Sequence, residues 1–399
     1  MNSEIDLILN RAFIENYLNG YPLISKEAVS DWSKMKEEGT VVNLLDGSKK
    51  FIAKGYWGKQ NRGYGWVLSR KKSEKFNTKF FMQKIKSAKA YREEFYSSTS
   101  TTAFRLFNGE GDGVGGLTID YFNGYYLLTW YSMGIYRFKD EILEALKSIV
   151  SYEGIYQKKR FDTKGQYVDD ASDFVCGKKA PEPLIVKENG VNFAIYLNDG
   201  AMVGLFLDQK DVRNKILNSY AKNSTVLNTF SYTGAFSVAA ALGGAKETTS
   251  VDLAKRSLVK TQEQFGVNSI DLSSQNIIVE DVFNYFKYAV RKKLSFDLVV
   301  LDPPSFARSK KHTFSASKDY VKLLKEAITI TKKGGVIVAS TNASNFDMRK
   351  FKEFIDKAFN ELNEKYNIEE TFKLPKDFKV DEKFKEGNYL KVVFIRKII

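Results

Sequence analysis

From Leu217 onward the sequence repeats one pattern: a short run of aliphatic and β-branched residues, then a longer stretch with helical spacing. Strands read at Val226–Asn228, Thr248–Asp252, Ile277–Val279, Phe296–Leu301 and Val336–Ser340. Helices read from Ala235, from Ala254, from about Val282, from about Ser317 to Lys332 with Gly334-Gly335 as cap, and from about Phe346 to Tyr366. Strands separated by helices pair in parallel, with helices on both faces, so this part of the chain is α/β with a doubly wound parallel sheet. Two last runs, near Ile368–Leu374 and Tyr389–Arg396, have no helix between them and predict an antiparallel hairpin at the sheet edge.

The 399 residues exceed one ordinary domain. Residues 1–72 hold short β runs punctuated by Asp46-Gly47 and Asn61-Arg62-Gly63, which predicts a small β-barrel domain. Residues 73–180 mix a helix (about Phe80 to Phe95), strands at Thr102–Phe107, Leu117–Phe122 and Tyr125–Tyr131, and a helix from about Tyr136 to Ile149, giving a middle α+β domain. A polar stretch between Cys176 and Pro183, holding two of the six prolines, marks the boundary to the third domain, 181–399. That domain opens with a hairpin, Leu184–Lys187 and Val191–Leu197, turned at Asn189-Gly190.

Composition excludes several classes. A single cysteine, Cys176, allows neither an internal disulfide nor a Cys-rich zinc site, and a single histidine, His312, allows no poly-His metal site, so no metal is expected. No run of 18 uncharged apolar residues is present and MNSEIDLILNRAF lacks a signal-peptide pattern, which predicts a cytoplasmic protein without a membrane span. The net charge of +14 is local: between Lys49 and Arg92 there are 14 Lys or Arg against one acid, Glu74, so this segment carries +13 and the rest of the chain +1. Tyr56, Trp57, Tyr64, Trp66 and Phe76 are interleaved with it. Cations that neutralise phosphates beside rings that stack on bases point to nucleic acid, with Lys54, Lys59, Arg62, Arg70, Lys71 and Lys72 as candidate contacts. A merely solvated lysine-rich face is the alternative.

One literal dinucleotide fingerprint occurs, Gly111-x-Gly113-x-x-Gly116, but a strand pattern follows it where a pyrophosphate needs a helix N-terminus. The better nucleotide site is Asn228-Thr-Phe-Ser-Tyr-Thr-Gly234, between the first strand and its helix, at the carboxyl edge of the sheet. Its single glycine suits an adenosine ligand without a pyrophosphate. Asp252 ends the second strand, where a carboxylate accepts ribose hydroxyls, and Asp281 follows the third, where it could meet an adenine amino group. Each alone reads equally as a strand terminator or helix cap. The fourth strand ends in Asp302-Pro303-Pro304-Ser305-Phe306, a rigid turn that can present an acid and a stacking ring to a substrate base.

The Asp-Pro-Pro-x-Phe turn, the Asn-x-Phe-Ser-Tyr-Thr-Gly run, Gly204-Leu-Phe-Leu-Asp-Gln209 and Gly109-Glu-Gly-Asp-Gly113 together resemble class I S-adenosylmethionine-dependent large-subunit rRNA methyltransferases, over most of the chain. The resemblance implies an N-terminal PUA domain, a middle α+β domain and a C-terminal Rossmann-like methyltransferase domain. It implies S-adenosylmethionine as cofactor, held by Gln209, Phe230, Tyr232, Thr233, Gly234, Asp252, Asp281 and Asp302. It places Asp302, Pro303, Pro304 and Phe306 against the target base. Asn228 departs from the acid usual at the end of the first strand.

The second departure bears on the target atom. Some members of this family make 5-methylcytosine, which requires a cysteine thiolate to add to the ring, placed just after the fifth strand. Here that place reads Ser340-Thr-Asn342-Ala-Ser344. Guanine N7 already has a lone pair and needs only positioning, and Asn342 resembles the asparagine of the guanine-N7 branch. The expected function is therefore methylation of a large-subunit rRNA base, guanine N7 favoured. The alternatives are 5-methylcytosine formation, a dinucleotide-dependent oxidoreductase and a non-catalytic RNA-binding assembly factor. The sequence leaves the oligomeric state open, a homodimer included.

Overall fold

Seven strands build the sheet that carries the chemistry: β1 (Thr225–Thr229), β2 (Glu247–Asp252), β3 (Gln275–Val279), β4 (Phe296–Leu301), β5 (Thr331–Thr341), β6 (Tyr366–Phe372) and β7 (Lys391–Lys397). Their order is β3-β2-β1-β4-β5-β7-β6. The first five run parallel, and β7 is antiparallel to both its neighbours. Helices α1 (Ala235–Leu242), α2 (Arg256–Gly266), α3 (Val282–Arg291), α4 (Ala316–Ile330) and α5 (Met348–Glu361) follow β1 to β5 in turn. The structure is a computed structural model that describes residues 4–60, 63–161, 173–198, 200, 202–308 and 313–398.

Strand β4 shows how the sequence makes this sheet. Its apolar run buries alternate residues on opposite faces. Val299 and Leu301 join one core with Leu227, Phe286, Tyr320, Ile337 and Phe351. Leu298 and Val300 join the other with Val226, Phe236, Val338 and Phe394. The strand ends are level with one another: Thr229 pairs in register with Val251 and Leu301, Leu301 with Ala339, and Asp252 with Val279. All five parallel strands therefore deliver their last residues to one edge, at which the strand order reverses between β1 and β4.

Two expectations shift in detail. Helix α4 ends at Ile330, and Gly334-Gly335 lie within β5 rather than capping the helix. Gly334 is left-handed (φ 78°) and sits inside a register shift in which Phe296 faces Thr331 but Leu298 faces Val336, so the glycines form a bulge. The predicted helix from Tyr136 is split into a turn, Met133–Tyr136, and a helix, Lys139–Ile149.

The chain forms two compact units, Met1–Val186 with Ile195–Val203 and Lys376–Gly387, and Lys187–Ala194 with Gly204–Pro375 and Asn388–Ile399. The first contains a four-stranded sheet (Ile5–Ile8, Val41–Leu45, Phe51–Trp57, Gly65–Ser69) and a five-stranded sheet (Ala103–Asn108, Leu117–Phe122, Tyr125–Trp130, Gly154–Lys159, Phe174–Gly177). Lys376–Gly387, the connection between β6 and β7, packs there: the buried Arg92 grips both carboxylate oxygens of Asp112 at 3.0 and 2.7 Å and donates twice to the Asp377 carbonyl. Gly109–Asp112 is a single 3-10 turn, and a Cβ on Gly111 would lie 1.9 Å from the Lys379 carbonyl oxygen. These glycines permit close packing, and a strand follows them where a dinucleotide fingerprint would need a helix. No helix among the described residues is long and apolar enough to cross a membrane.

Candidate functional site

The loop after β1 is held in a conformation that side chains rarely adopt. Phe230 (φ 55°), Tyr232 (φ 52°) and Gly234 (φ 78°) all lie in the left-handed region, which costs about 1–3 kcal/mol for each residue with a Cβ. Three contacts hold it. The Ser231 amide donates to the Val251 carbonyl at 3.1 Å. The Tyr232 amide donates to Asp252 Oδ2 at 2.9 Å. Thr233, buried, donates its hydroxyl to the Gly204 carbonyl at 2.8 Å. A Cβ on Gly234 would lie 2.4 Å from Thr261 Cγ2, so only glycine fits there.

Asp252 is thus an anchor as well as a ribose candidate: Oδ2 takes the Tyr232 amide and Oδ1 the Ala254 amide at 2.9 Å. A carboxylate has about four acceptor directions, so ribose hydroxyls can still be received. Asp281 caps α3, its Oδ1 accepting from the Phe283 and Asn284 amides at 3.0 and 3.2 Å. Asn228 faces inward, 1% exposed, and donates to Ser237 Oγ, which lies 2.6 Å from Ser250 Oγ. It closes a buried polar ladder between β1, α1 and β2.

Gln209 and Asp302, far apart in sequence, meet. Gln209 Nε2 donates to Asp302 Oδ1 at 3.1 Å and to Ser340 Oγ at 2.8 Å. Gln209 is 3% exposed, and its Oε1 has no hydrogen-bond partner among the described residues. A buried acceptor without a donor is costly, about 1–3 kcal/mol, unless a ligand supplies the donor. Arg213 positions this run: it grips Glu188 with two bonds of 2.7 Å and donates to the Phe206 carbonyl at 2.6 Å. Desolvation chiefly, with the nearby Asp208 charge, lifts the Asp302 carboxyl to about 6, against the pull of Ser340, Arg213 and Gln209.

Pro303 and Pro304 carry the chain from Asp302 into a short hairpin, Phe306–Arg308 with Thr313–Ser315. Phe306 stands 64% exposed. The Ser305 hydroxyl donates to Asn342 Oδ1, which joins the ends of β4 and β5 and orients the Asn342 amide. Ser340 and two residues that the sequence reading did not single out support this edge. Ser340 bonds Gln209, and the buried Tyr320 donates to the Ser340 carbonyl at 2.7 Å. Lys391, buried in β7 and lowered to about 8 by desolvation, donates to the Ala343 carbonyl at 2.8 Å, next to Asn342. Tyr320 reads as core and Lys391 as a charged strand residue, so only the fold reveals them.

The candidate nucleic-acid contacts divide. Lys54 is 2% exposed, bound to Glu4 at 2.5 Å and to the carbonyls of Lys72 and Glu74, so it is a structural residue and not a surface cation. Arg70 directs its guanidinium to the Tyr17 carbonyl. Lys59, Lys71 and Lys72 are exposed, Lys59 with Nζ 5.6 Å from the Trp57 ring. Arg62 and His312 lie outside the described residues. Among the described residues no group of three or more His, Cys, Asp or Glu could hold a metal.

Comparison with known proteins identifies the family. A family model for S-adenosylmethionine-dependent methyltransferases matches residues 104–378, and one for a PUA-like domain matches residues 7–70. The chain is 58% identical over 393 residues, 98% of this chain and 99% of the relative, to YwbD of Bacillus subtilis (strain 168), named there as a candidate ribosomal RNA large subunit methyltransferase. It is 28% identical over 386 residues, 96% of this chain and 97% of the relative, to ribosomal RNA large subunit methyltransferase I of Tolumonas auensis. The crystal structure of SMU.776, described as a candidate methyltransferase complexed with SAH, superposes with a TM-score of 0.90 at 41% identity, covering 98% of this chain and 100% of that one. The chain therefore belongs to the S-adenosylmethionine-dependent methyltransferases that carry a PUA-like domain.

Proposed function

We propose that this enzyme methylates N7 of a guanine in large-subunit rRNA, in the cytoplasm and without a metal. The rRNA substrate is supported by the names of the relatives and by the basic segment around the PUA-like domain. The observation that carries the choice of atom is the end of β5: Asn342, oriented by Ser305, stands there with Ser340 and Ser344, and no cysteine exists in the unit that holds this sheet. The chain's one cysteine, Cys176, is in the five-stranded sheet of the other unit. Covalent activation of cytosine needs a thiolate at the site. N7 carries a lone pair and no proton, so neither a nucleophile nor a general base is needed.

S-adenosylmethionine, when bound, supplies an electrophilic methyl group. The chain's residues hold and orient. Phe230, Tyr232, Thr233, Gly234, Asp252 and Asp281 line the adenosine side, with Gln209 Oε1 as a buried acceptor beside Asp302. Since Asn342 Oδ1 accepts from Ser305, its amide nitrogen is the group that meets the guanine O6. Asp302, as carboxylate, accepts from the N1–H and amino edge and offsets the positive charge that methylation leaves on the ring. Pro303 and Pro304 hold that acid rigidly, and Phe306 offers a stacking face.

The test is a strain lacking the gene. Its rRNA should lose one site of borohydride/aniline cleavage, the chemistry that reports 7-methylguanine, and an unchanged pattern overturns the assignment. Asp302→Ala and Asn342→Ala should abolish methylation while S-adenosylhomocysteine binding stays within a few fold. Equal loss of both would move the base pocket elsewhere.

A further inference from the structure

A second aromatic and basic surface lies in the five-stranded sheet, outside the segment Lys49–Arg92. The adjacent strands Tyr125–Trp130 and Gly154–Lys159 run parallel, with Trp130 opposite Lys159, so their next residues emerge together. Arg160 fixes this by donating its amide to the Trp130 carbonyl at 2.8 Å. Tyr131 continues one strand and Arg160-Phe161 the other, while Tyr136 comes from the turn Met133–Tyr136.

The Tyr136 ring packs on Phe161 at 5.3 Å and edge-on to the fully buried Trp130 at 5.6 Å. Lys139 and Lys159 bring Nζ to 5.3 and 5.4 Å from its centroid, and Arg160 lies 5.8 Å from the Tyr131 ring. Trp130 is a floor; Tyr131, Tyr136 and Phe161 are only half-buried, and Arg160 is exposed. The preceding Lys158 shows what a structural cation looks like here: 1% exposed, paired with Asp173 at 3.4 Å and bonded to the Gly200 carbonyl. The surface also continues past this sheet. A Cβ on Gly58 would lie 2.9 Å from the Gly134 Cα, so the backbones meet one residue before Lys59 and two before Tyr136.

We infer that Tyr131, Tyr136 and Phe161, with Lys139, Lys159 and Arg160, form a stacking platform for a single-stranded RNA segment. Aromatic rings flanked by cations receive splayed bases and their phosphates, with little regard to sequence. A duplex keeps its bases stacked inside and cannot use the rings. The inference rests on RNA being the substrate, not on which base or atom is methylated.

The test uses the full chain and a labelled single-stranded RNA of about 12 nucleotides, within the usual site size for such surfaces, beside a duplex of the same sequence. Tyr136→Leu and the pair Lys159→Glu with Arg160→Glu should each weaken single-strand binding about tenfold, and the charge pair should flatten its salt dependence. Duplex affinity should fall less for Tyr136→Leu, and S-adenosylhomocysteine affinity and Tm should stay unchanged. Should Tyr136→Leu unfold, Arg160→Glu alone, at an exposed position, should still weaken binding severalfold. Unchanged single-strand affinity in folded variants, or equal loss for duplex with Tyr136→Leu, overturns the platform. Loss of RNA binding together with an unaltered cleavage pattern in the deletion strain would sink the N7 assignment and leave the platform standing. A wild-type chain that binds no RNA overturns both.

Discussion

Asp302 has two demands on one carboxyl. The proposed recognition of the base needs it ionised, while its surroundings lift it to about 6. The folded protein therefore keeps a proton that the unfolded chain has released, so stability falls as pH rises from about 4 to about 6 and stays lower above that. The shift corresponds to at most about 3 kcal/mol. Asp302→Asn removes it, so in urea titrations the variant should gain stability relative to wild type at pH 7.5 but not at pH 4.5. Methylation should follow the opposite sense: wild-type kcat/KM should drop below pH about 6 as the carboxylate is lost, and the variant should be inactive throughout. Lys54 makes the contrasting case. Its ammonium serves Glu4 and two carbonyls, so Lys54→Ala should destabilise the protein by about 2–3 kcal/mol, because the carbonyls lose their donor. RNA affinity per folded molecule should not change. Lys71→Glu, at an exposed position, should do the reverse.

At the scale of elements, the loop Phe230–Gly234 joins backbone strain to the proposed cofactor binding. Gly234→Ala puts a Cβ in a left-handed position and against Thr261, which should lower stability by about 2–3 kcal/mol. It should also weaken S-adenosylhomocysteine binding at least tenfold by calorimetry, about 1.4 kcal/mol. Asp252→Asn keeps the shape but swaps an acceptor for a donor opposite two backbone amides, and it should weaken binding similarly with a smaller stability loss. The strands and helices around this loop were legible because strand β4 buries both faces and α3 begins at its capping Asp281. The Gly204–Gln209 run and the Asp302 turn were legible only as text. That Gln209 Nε2 reaches Asp302 and Ser340 depends on three chain segments converging, which no local spacing encodes. Gly334-Gly335 misled for the same reason: a glycine pair after a helical stretch reads as a cap, and only pairing with β4 makes it a bulge.

For the whole molecule, the question is what the concentrated charge does. The segment Lys49–Arg92 carries +13 in sequence, yet the fold withdraws part of it. Lys54 and Arg92 are buried against Glu4 and Asp112, and the half-buried Lys89 donates to the Ile149 carbonyl at 3.1 Å, while Arg70 bonds the Tyr17 carbonyl and stays exposed. The cations left at the surface, Lys71 and Lys72 among them, can contact phosphates, which position a substrate without reading its bases. In the proposed reading, base choice then falls to the β4 and β5 ends. This division predicts separable phenotypes. Lys71→Glu with Lys72→Glu should raise the Kd for an rRNA fragment about tenfold at moderate salt and lower the slope of log K against log salt by roughly two, about one per phosphate contact removed. The Kd for S-adenosylhomocysteine should not move, and saturating RNA should restore the wild-type kcat. Lys54→Ala, folded at low temperature, should leave the slope unchanged, since a buried ammonium displaces no counterions. A slope that falls as much for Lys54→Ala as for Lys71→Glu would mean that the charge acts through the integrity of the domain and not through phosphate contact.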